Sequence, residues 1–288
     1  MMMTVPELAA DALGKFLAEY MQRRFGSAQT HLVEMVPSIA RIAIECIGNS
    51  DALYHNVEHT MLVTLAGHDI LRGRALHSHM PAEDYAHVII ACLTHDIGYV
   101  RRLFKSDGED GYIVDGSGRK VTLPRGSSDA ALLPYHVDRS KLFAMERIEG
   151  IAQLDKQRIA RAIEGTRFPA SVPSEAEAYD EEAALLRAAD LIGQLGDPHY
   201  IRKANALYYE FEEAGLNRQL NYSSPADMSI STPSSTGTAW RRTCRPRSAI
   251  SMSHPAGGNG SPISTATCSA PSKTSRCRDH SSRISPFP

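Results

Sequence analysis

The sequence lacks the features of a membrane-spanning or disulfide-stapled protein. No apolar run in its 288 residues approaches the ~18 needed to cross a bilayer, and the five cysteines have no paired spacing. Cys46 and Cys92 lie in apolar helical patterns, which favours free thiols in a reducing compartment. Charges are interspersed through residues 1–20, unlike a secretory signal peptide. We therefore expect a cytoplasmic protein with no membrane partner.

The composition changes abruptly after residue 222. Residues 223–288 contain 17 Ser, 8 Pro, eight basic and two acidic residues, for a net charge of +6. Residues 1–222 contain 23 basic and 31 acidic residues, for a net charge of −8. The Ser/Pro/Arg-rich tail has no apolar periodicity and buries too little surface to offset the entropy of ordering, so we expect disorder. Two origins stay open: an ordinary basic tail, or an out-of-frame translation product that replaces native helices.

Apolar residues recur at helical spacing through most of residues 1–222, which predicts one all-α domain. Residues 112–123 break this pattern, because two β-prone arms flank a Gly-rich turn. This arrangement predicts a small β-hairpin insertion. The hairpin closely follows His95 and Asp96, so it either covers a site built there or is a plain surface insertion.

Three short polar segments interrupt the apolar helical patterns, at residues 55–59, 94–98 and 188–191. They contribute the candidate metal ligands His59, His95, Asp96 and Asp190. A carboxylate or an uncommitted imidazole on a core-facing stripe is costly unless something pairs with it. Each residue alone has a structural explanation, as a hydrogen-bonded core histidine or a solvent-facing aspartate. Their combination on successive helical segments favours a shared divalent metal ion.

The donor set constrains the ion and its chemistry. Two imidazoles and two carboxylates with open water positions suit octahedral Mn²⁺, Fe²⁺, Mg²⁺ or Ni²⁺, and Zn²⁺ is also compatible. Such an ion lowers the pKa of bound water toward ~7 and polarises a phosphoryl oxygen. His55 lies one helical turn from His59, where it can protonate a leaving oxygen. Its structural alternatives are support of a ligand, or a helix-entry position beside the capping residue Asn56.

The order of these residues resembles the H…HD…D signature of the HD-domain metal-dependent phosphohydrolases. The first segment is also similar to the YHNxxH motif of cyclic-nucleotide phosphodiesterases, at Tyr54, His55, Asn56 and His59. The resemblance covers about residues 51–214. It implies an HD-domain helical bundle with His59, His95, Asp96 and Asp190 as metal ligands. It also implies His55 as the general acid, with Asp96 shared between the metal site and the catalytic set.

The chain departs from the phosphodiesterase pattern after the His-Asp pair. Those enzymes carry a further histidine there, whereas this chain continues Ile97-Gly98-Tyr99-Val100. Further ligands for a second ion would have to come from His136 or Glu164, so we predict one metal ion, and a second has no support. The glutamine-bearing nucleotide pocket of those enzymes has no match.

Cations near the motif in sequence are candidates for binding a substrate phosphate. These candidates, with a neighbouring pocket histidine, are Arg101, Arg102, His136, Arg139 and Lys141. The alternative for each basic residue is a solvated surface position.

The predicted function is a metal-dependent phosphohydrolase that cleaves a phosphomonoester or phosphodiester of a nucleotide or another small metabolite. Metal-bound water would attack phosphorus while His55 assists the leaving group. The alternative is a catalytically quiet HD-fold module that binds a metal or nucleotide and signals through partners. Nucleic-acid binding through the basic tail is disfavoured because the helical part is acidic. A homo-oligomer is compatible with the sequence.

Overall fold

The structure, a computed structural model, describes residues 3–26, 29–169 and 180–228. Its α-helices are α1 (Val5–Phe25), α2 (Thr30–Ile47), α3 (Val57–Arg74), α4 (Ala82–Thr94), α5 (His136–Arg147), α6 (Lys156–Glu164), α7 (Glu181–Leu195), α8 (Tyr200–Glu213) and α9 (Leu216–Leu220). Short 3₁₀ helices span Ile97–Tyr99 and Asp129–Leu132. Two short strands, β1 (Tyr112–Ile113) and β2 (Lys120–Val121), form an antiparallel pair. The predicted all-α fold with a small β-hairpin is confirmed.

The helices that carry the candidate ligands begin at side-chain caps. Asn56 Oδ1 accepts from the backbone N–H of Glu58 at 3.0 Å and of His59 at 3.4 Å, which fixes the first turn of α3. Asp180 Oδ1 accepts from Ala183 N at 2.9 Å and starts α7. Such a cap stabilises a helix by about 1 kcal/mol. These caps therefore fix where α3 and α7 begin, and with that the positions of the candidate ligands along each helix.

Helix α4 lies at the centre of the core, and every residue from Tyr85 to Thr94 is buried. Helix α3 packs against both α4 and α7. The α3–α7 crossing is close at Gly193, where an added Cβ would lie 2.8 Å from Val63 N. Ala189 is fully buried. The small residues of α7 therefore let α3 approach closely.

The hairpin is attached to the domain through Arg139 of α5, whose side chain is fully buried. The Arg139 guanidinium donates to Gly98 O at 2.7 Å and to Val100 O at 2.8 Å. It also donates to Ile113 O in β1 and pairs with Asp107 at 3.0 Å. Arg139 therefore serves to join the hairpin and the preceding loop to the core.

The packed structure continues past the boundary predicted at residue 222. Residues 225–228 form a last helical turn, and Met228 is only 4% exposed, in contact with the cluster that contains Leu207 and Phe211. Asp227 Oδ2 accepts from Ser223 N at 2.8 Å and Ser224 N at 2.9 Å, which holds this turn. The predicted tail therefore starts too early, and the remainder of it lies outside the described residues. In the described ranges, no helix is both long and apolar enough to cross a membrane.

Candidate metal centre

Three helical segments bring the four predicted ligands together. His59 lies in the first turn of α3, His95 and Asp96 follow the end of α4, and Asp190 lies in α7. His59 Nε2 is 3.3 Å from Asp96 Oδ2 and 3.2 Å from Asp190 Oδ1. His95 Nε2 is 3.0 Å and 3.8 Å from the same two oxygens. Two imidazole nitrogens and two carboxylate oxygens thus face a common point.

Two of these buried atoms lack a hydrogen bond within the described structure: His95 Nε2 and Asp96 Oδ2. They are 3.0 Å apart, but their orientation does not form a hydrogen bond. The other ring nitrogen of His95, Nδ1, donates to Cys92 O at 2.8 Å, so in the neutral ring Nε2 carries a lone pair. Because buried polar atoms are normally satisfied, two electron-pair donors aimed at one point fit a shared cation.

The charges of the protein groups support the same interpretation. Burial favours neutral Asp96, but His95 and His55 outweigh it and hold the pKa of this carboxyl well below its usual value. Burial likewise opposes the charge on His59, yet Asp190 and Asp96 raise its pKa to about 9. The same carboxylates hold the pKa of His95 well above its usual value, so without an ion two imidazolium rings balance the two ionised carboxylates. A divalent cation at the point that the four groups face would carry the same charge as those two protons.

A buried carboxylate holds the predicted general acid, His55. Glu210 Oε2 contacts His55 Nδ1, and Glu210 Oε1 accepts from the backbone N–H of Tyr54 at 2.5 Å and of His55 at 3.2 Å. Burial opposes ionisation of Glu210, but these donors, with His55 first, lower the pKa of the carboxyl. The His55 ring stacks on Tyr99 with centroids 4.5 Å apart. With Nδ1 engaged and the ring held, Nε2 is the nitrogen available for chemistry.

Glu210 was missed in the sequence. It lies in α8 between Leu207 and Phe211, both of which are buried, and is itself 1% exposed. A glutamate on an apolar helix stripe is the same signal that identified the metal ligands. The resemblance assigns no residue on α8, although this helix begins ten residues after Asp190.

The two residues considered for a second ion have different environments. His136 Nε2 lies 3.8 Å from Asp96 Oδ1, and its Nδ1 donates to Leu133 O at 2.5 Å. Burial lowers the pKa of His136 to about 4, so the ring is neutral near pH 7. Glu164 instead pairs with Lys141 at 2.6 Å and with Arg167. His136 therefore belongs to the pocket, whereas Glu164 is occupied by cations.

Two of the candidate ligands, Asp96 and Asp190, line a cavity of about 300 Å³ together with His55 and His136. Its apolar lining residues are Leu133, Phe168, Leu191, Leu207, Phe211, Leu216 and Met228. Further polar groups in the lining come from Tyr99, Thr166, Gln194, Tyr200 and Tyr222. Neither strand of the hairpin lines this cavity, so the hairpin is a surface insertion and not a cover.

The predicted phosphate-binding cations do not line the cavity. Arg101 pairs with Asp51 at 2.5 Å and with Asp129, and Lys141 is held by Asp138 at 2.8 Å and by Glu164. Arg102 is exposed and has a left-handed backbone with φ 57°. Arg139 is buried in the core, where its guanidinium already contacts Gly98 O, Val100 O and Asp107. This part of the prediction is corrected: nearness in sequence to the His-Asp pair does not place these side chains in the pocket.

The arginines that do line the cavity are Arg167 and Arg187. Arg167 is neutralised by Glu164 and by Asp138, the latter at 2.9 Å. Arg187 donates from Nε to Gly165 O at 2.6 Å, and no carboxylate of the described residues pairs with it. Its terminal nitrogens are therefore available to an anion.

A separate group of possible ligands, Asp84, His87 and Glu182, is explained without a metal. Arg158 Nη2 lies 2.7 Å from Asp84 and 2.5 Å from Glu182. His87 Nε2 accepts from Asp155 N at 2.8 Å. A guanidinium therefore already contacts both carboxylates of this group.

Comparison with known proteins gave one family. A family model described as Npun_R2479-like matches residues 3–236, which is most of the chain, so the chain belongs to that family. No curated protein matches, and no solved structure matches.

Proposed function

We propose that this member of the Npun_R2479-like family is a metal-dependent phosphohydrolase of the HD type. One observation carries the proposal. His59, His95, Asp96 and Asp190 converge beside a cavity that Asp96 and Asp190 line, and two of their buried atoms have no hydrogen-bond partner among the described residues. The same four residues match the ligand order of the HD signature.

The ligand set fits one divalent cation with mixed nitrogen and oxygen preference, such as Mn²⁺, Fe²⁺, Mg²⁺ or Ni²⁺, or Zn²⁺. When bound, the ion would acidify a water molecule and polarise a phosphoryl oxygen. Two ionised carboxylates would offset its charge, as the low pKa of Asp96 indicates. The bond of His95 to Cys92 O would keep the ring in the tautomer that presents Nε2.

Hydrolysis breaks the bond between phosphorus and the ester oxygen and forms a bond from phosphorus to a water oxygen. The leaving ester oxygen then needs a proton. His55 lines the cavity with Nε2 available, and Glu210 accepts from its Nδ1. His55 would deliver the proton from Nε2, and such a positioned acid typically contributes ~10²–10⁴-fold in rate.

The alternative is the catalytically quiet module, which needs the metal ligands but has no use for a general acid. A buried carboxylate that orients His55 toward the cavity supports an enzyme over that alternative. The phosphate class rests on the HD signature and on the Arg187 guanidinium in the cavity wall.

The test compares Asp96→Asn with Asp69→Asn, a matched change at an α3 residue whose side chain is 71% exposed. The measurements are metal content by elemental analysis and turnover of generic phosphomonoesters and diesters with added Mn²⁺. We expect wild type and Asp69→Asn to bind metal and cleave ester, and Asp96→Asn to lose both. Metal binding without turnover of any ester would favour the quiet module, and absence of bound metal would refute the proposal.

A further inference from the structure

The cavity beside the candidate metal centre is lined by two chemically different sets of side chains, and this contrast restricts what it can bind. Asp190 and Arg187 both line it and lie three residues apart on α7, hence on one face of the helix. The lining from Phe168, α8, α9 and the last described turn is largely aliphatic and aromatic, and these side chains are called the apolar wall below.

The Arg187 guanidinium is suited to a single phosphate group. Its Nε is fixed by Gly165 O at 2.6 Å, which sets the plane of the group and leaves the two terminal nitrogens for a bidentate contact. The second arginine of the wall, Arg167, is neutralised by Asp138 and Glu164. Among the described residues of the lining, one guanidinium is available beside the metal site, which suits one phosphate group better than a polyphosphate.

The remainder of the cavity is suited to an apolar group. Phe168 and Phe211 stack with centroids 6.0 Å apart, and Leu207 and Met228 are almost fully buried in the same wall. Gln194 contributes an amide, but its Nε2 donates to Tyr200 Oη at 3.2 Å. The cavity volume of about 300 Å³ lies at the small end of the range for ligand sites, about 300–1,000 Å³.

We infer that the site takes a phosphate ester with one phosphate group and a small apolar organic group, with Arg187 holding the phosphate. The inference rests on the proposed function for the placement of the phosphate at the metal centre. It narrows that function, because one phosphate group disfavours nucleoside polyphosphates and the apolar wall disfavours a polar sugar or base.

The test measures binding of non-hydrolysable alkylphosphonates, from methyl to butyl, by titration calorimetry on the full chain with and without Mn²⁺. Each methylene that enters the apolar wall is expected to tighten binding by about fourfold. Arg187→Met, which keeps the apolar stem, should weaken every member of the series by about tenfold or more, because a charge-assisted contact is lost. The exposed change Arg72→Met is the matched control.

A second pair of variants examines the apolar wall. In Phe168→Ser, at a partly exposed position of the wall, each added methylene should increase the affinity by less than in wild type. The affinity for methylphosphonate should not change. Ile201→Ser, at a residue that is 73% exposed and outside the wall, should leave the series as in wild type. Thermal unfolding of each variant verifies that it is folded.

Equal affinity for methyl- and butylphosphonate would overturn the inference, as would tighter binding of a nucleoside phosphonate than of butylphosphonate. An unchanged series in folded Arg187→Met would overturn the role of that residue. If the alkyl series binds with the expected gain but no ester is cleaved with any metal, the ligand class stands and the hydrolase proposal fails. If esters are cleaved without preference for an apolar group, the hydrolase stands and the inference fails.

Discussion

Replacement of Glu210 by glutamine tests the proton delivery in the proposed reaction. The glutamine oxygen can still accept from the backbone N–H groups of Tyr54 and His55, but its amide group donates toward His55 Nδ1. The ring is then held neutral, with its one proton on Nε2, and it is a far weaker acid. The local fold should persist, because the amide preserves the shape and two of the three contacts.

The expected effect depends on the leaving group. For phenyl phosphate, whose leaving oxygen needs a proton, turnover should fall by about 10²-fold or more, within the range of a lost general acid. For 2,4-dinitrophenyl phosphate, whose leaving group departs without a proton, turnover should change only a few-fold. The free energy of unfolding should fall by about 1 kcal/mol, because loss of a charge-assisted hydrogen bond is partly offset by easier burial of a neutral amide.

The assay is steady-state turnover of both esters by wild type, Glu210→Gln and Glu212→Gln, an exposed change on the same helix. Glu212→Gln should behave as wild type with both esters. An equal loss for both esters in Glu210→Gln would show that Glu210 supports the site only structurally. Unchanged turnover of phenyl phosphate would refute the assignment of His55 as the acid.

Two further predictions concern packing and metal. Gly193→Ala should lower the free energy of unfolding by about 1–3 kcal/mol in urea titrations, because its Cβ would lie 2.8 Å from Val63 N. Gly73→Ala in α3, whose Cβ meets nothing within 4 Å, should be neutral or stabilising by up to ~1 kcal/mol. Equal effects would contradict the close crossing. Mn²⁺ at about 100-fold over its Kd should stabilise the chain by about 2.7 kcal/mol in chelator-treated samples. This gain should be absent in Asp96→Asn, and an undiminished gain there would place the ion elsewhere.

The sequence allowed the four candidate ligands to be predicted because their signal is local. A histidine or aspartate that interrupts an apolar helical stripe is visible without knowledge of the fold. Convergence of those stripes follows when helices pack their apolar faces together, as α3, α4 and α7 do. The all-α fold and the hairpin were predictable for the same reason, because each is encoded by periodicity within one segment.

The substrate-binding residues were not predictable in this way. The path of the backbone after the His-Asp pair decides where the following side chains point. That path depends on turns that composition does not reveal, such as the left-handed conformation at Arg102. Arg187 lies on the same helix as Asp190 and Glu210 lies on the next helix, but neither belongs to a motif, and their roles emerge only from tertiary packing. The predicted boundary at residue 222 falls a few residues too early because a Ser-rich composition does not exclude packing: hydrogen bonds between serine and aspartate hold the turn in which Met228 is buried.

The participation of Tyr222 and Met228 in the cavity wall has a consequence for shortened forms of the chain. All four candidate ligands lie at or before Asp190, and none is contributed by this last described segment. A chain that ends at Leu220 would keep every donor to the cation but lose part of the surface that faces the organic group. Shortening the chain would then change its preference among organic ligands while it still binds the metal ion.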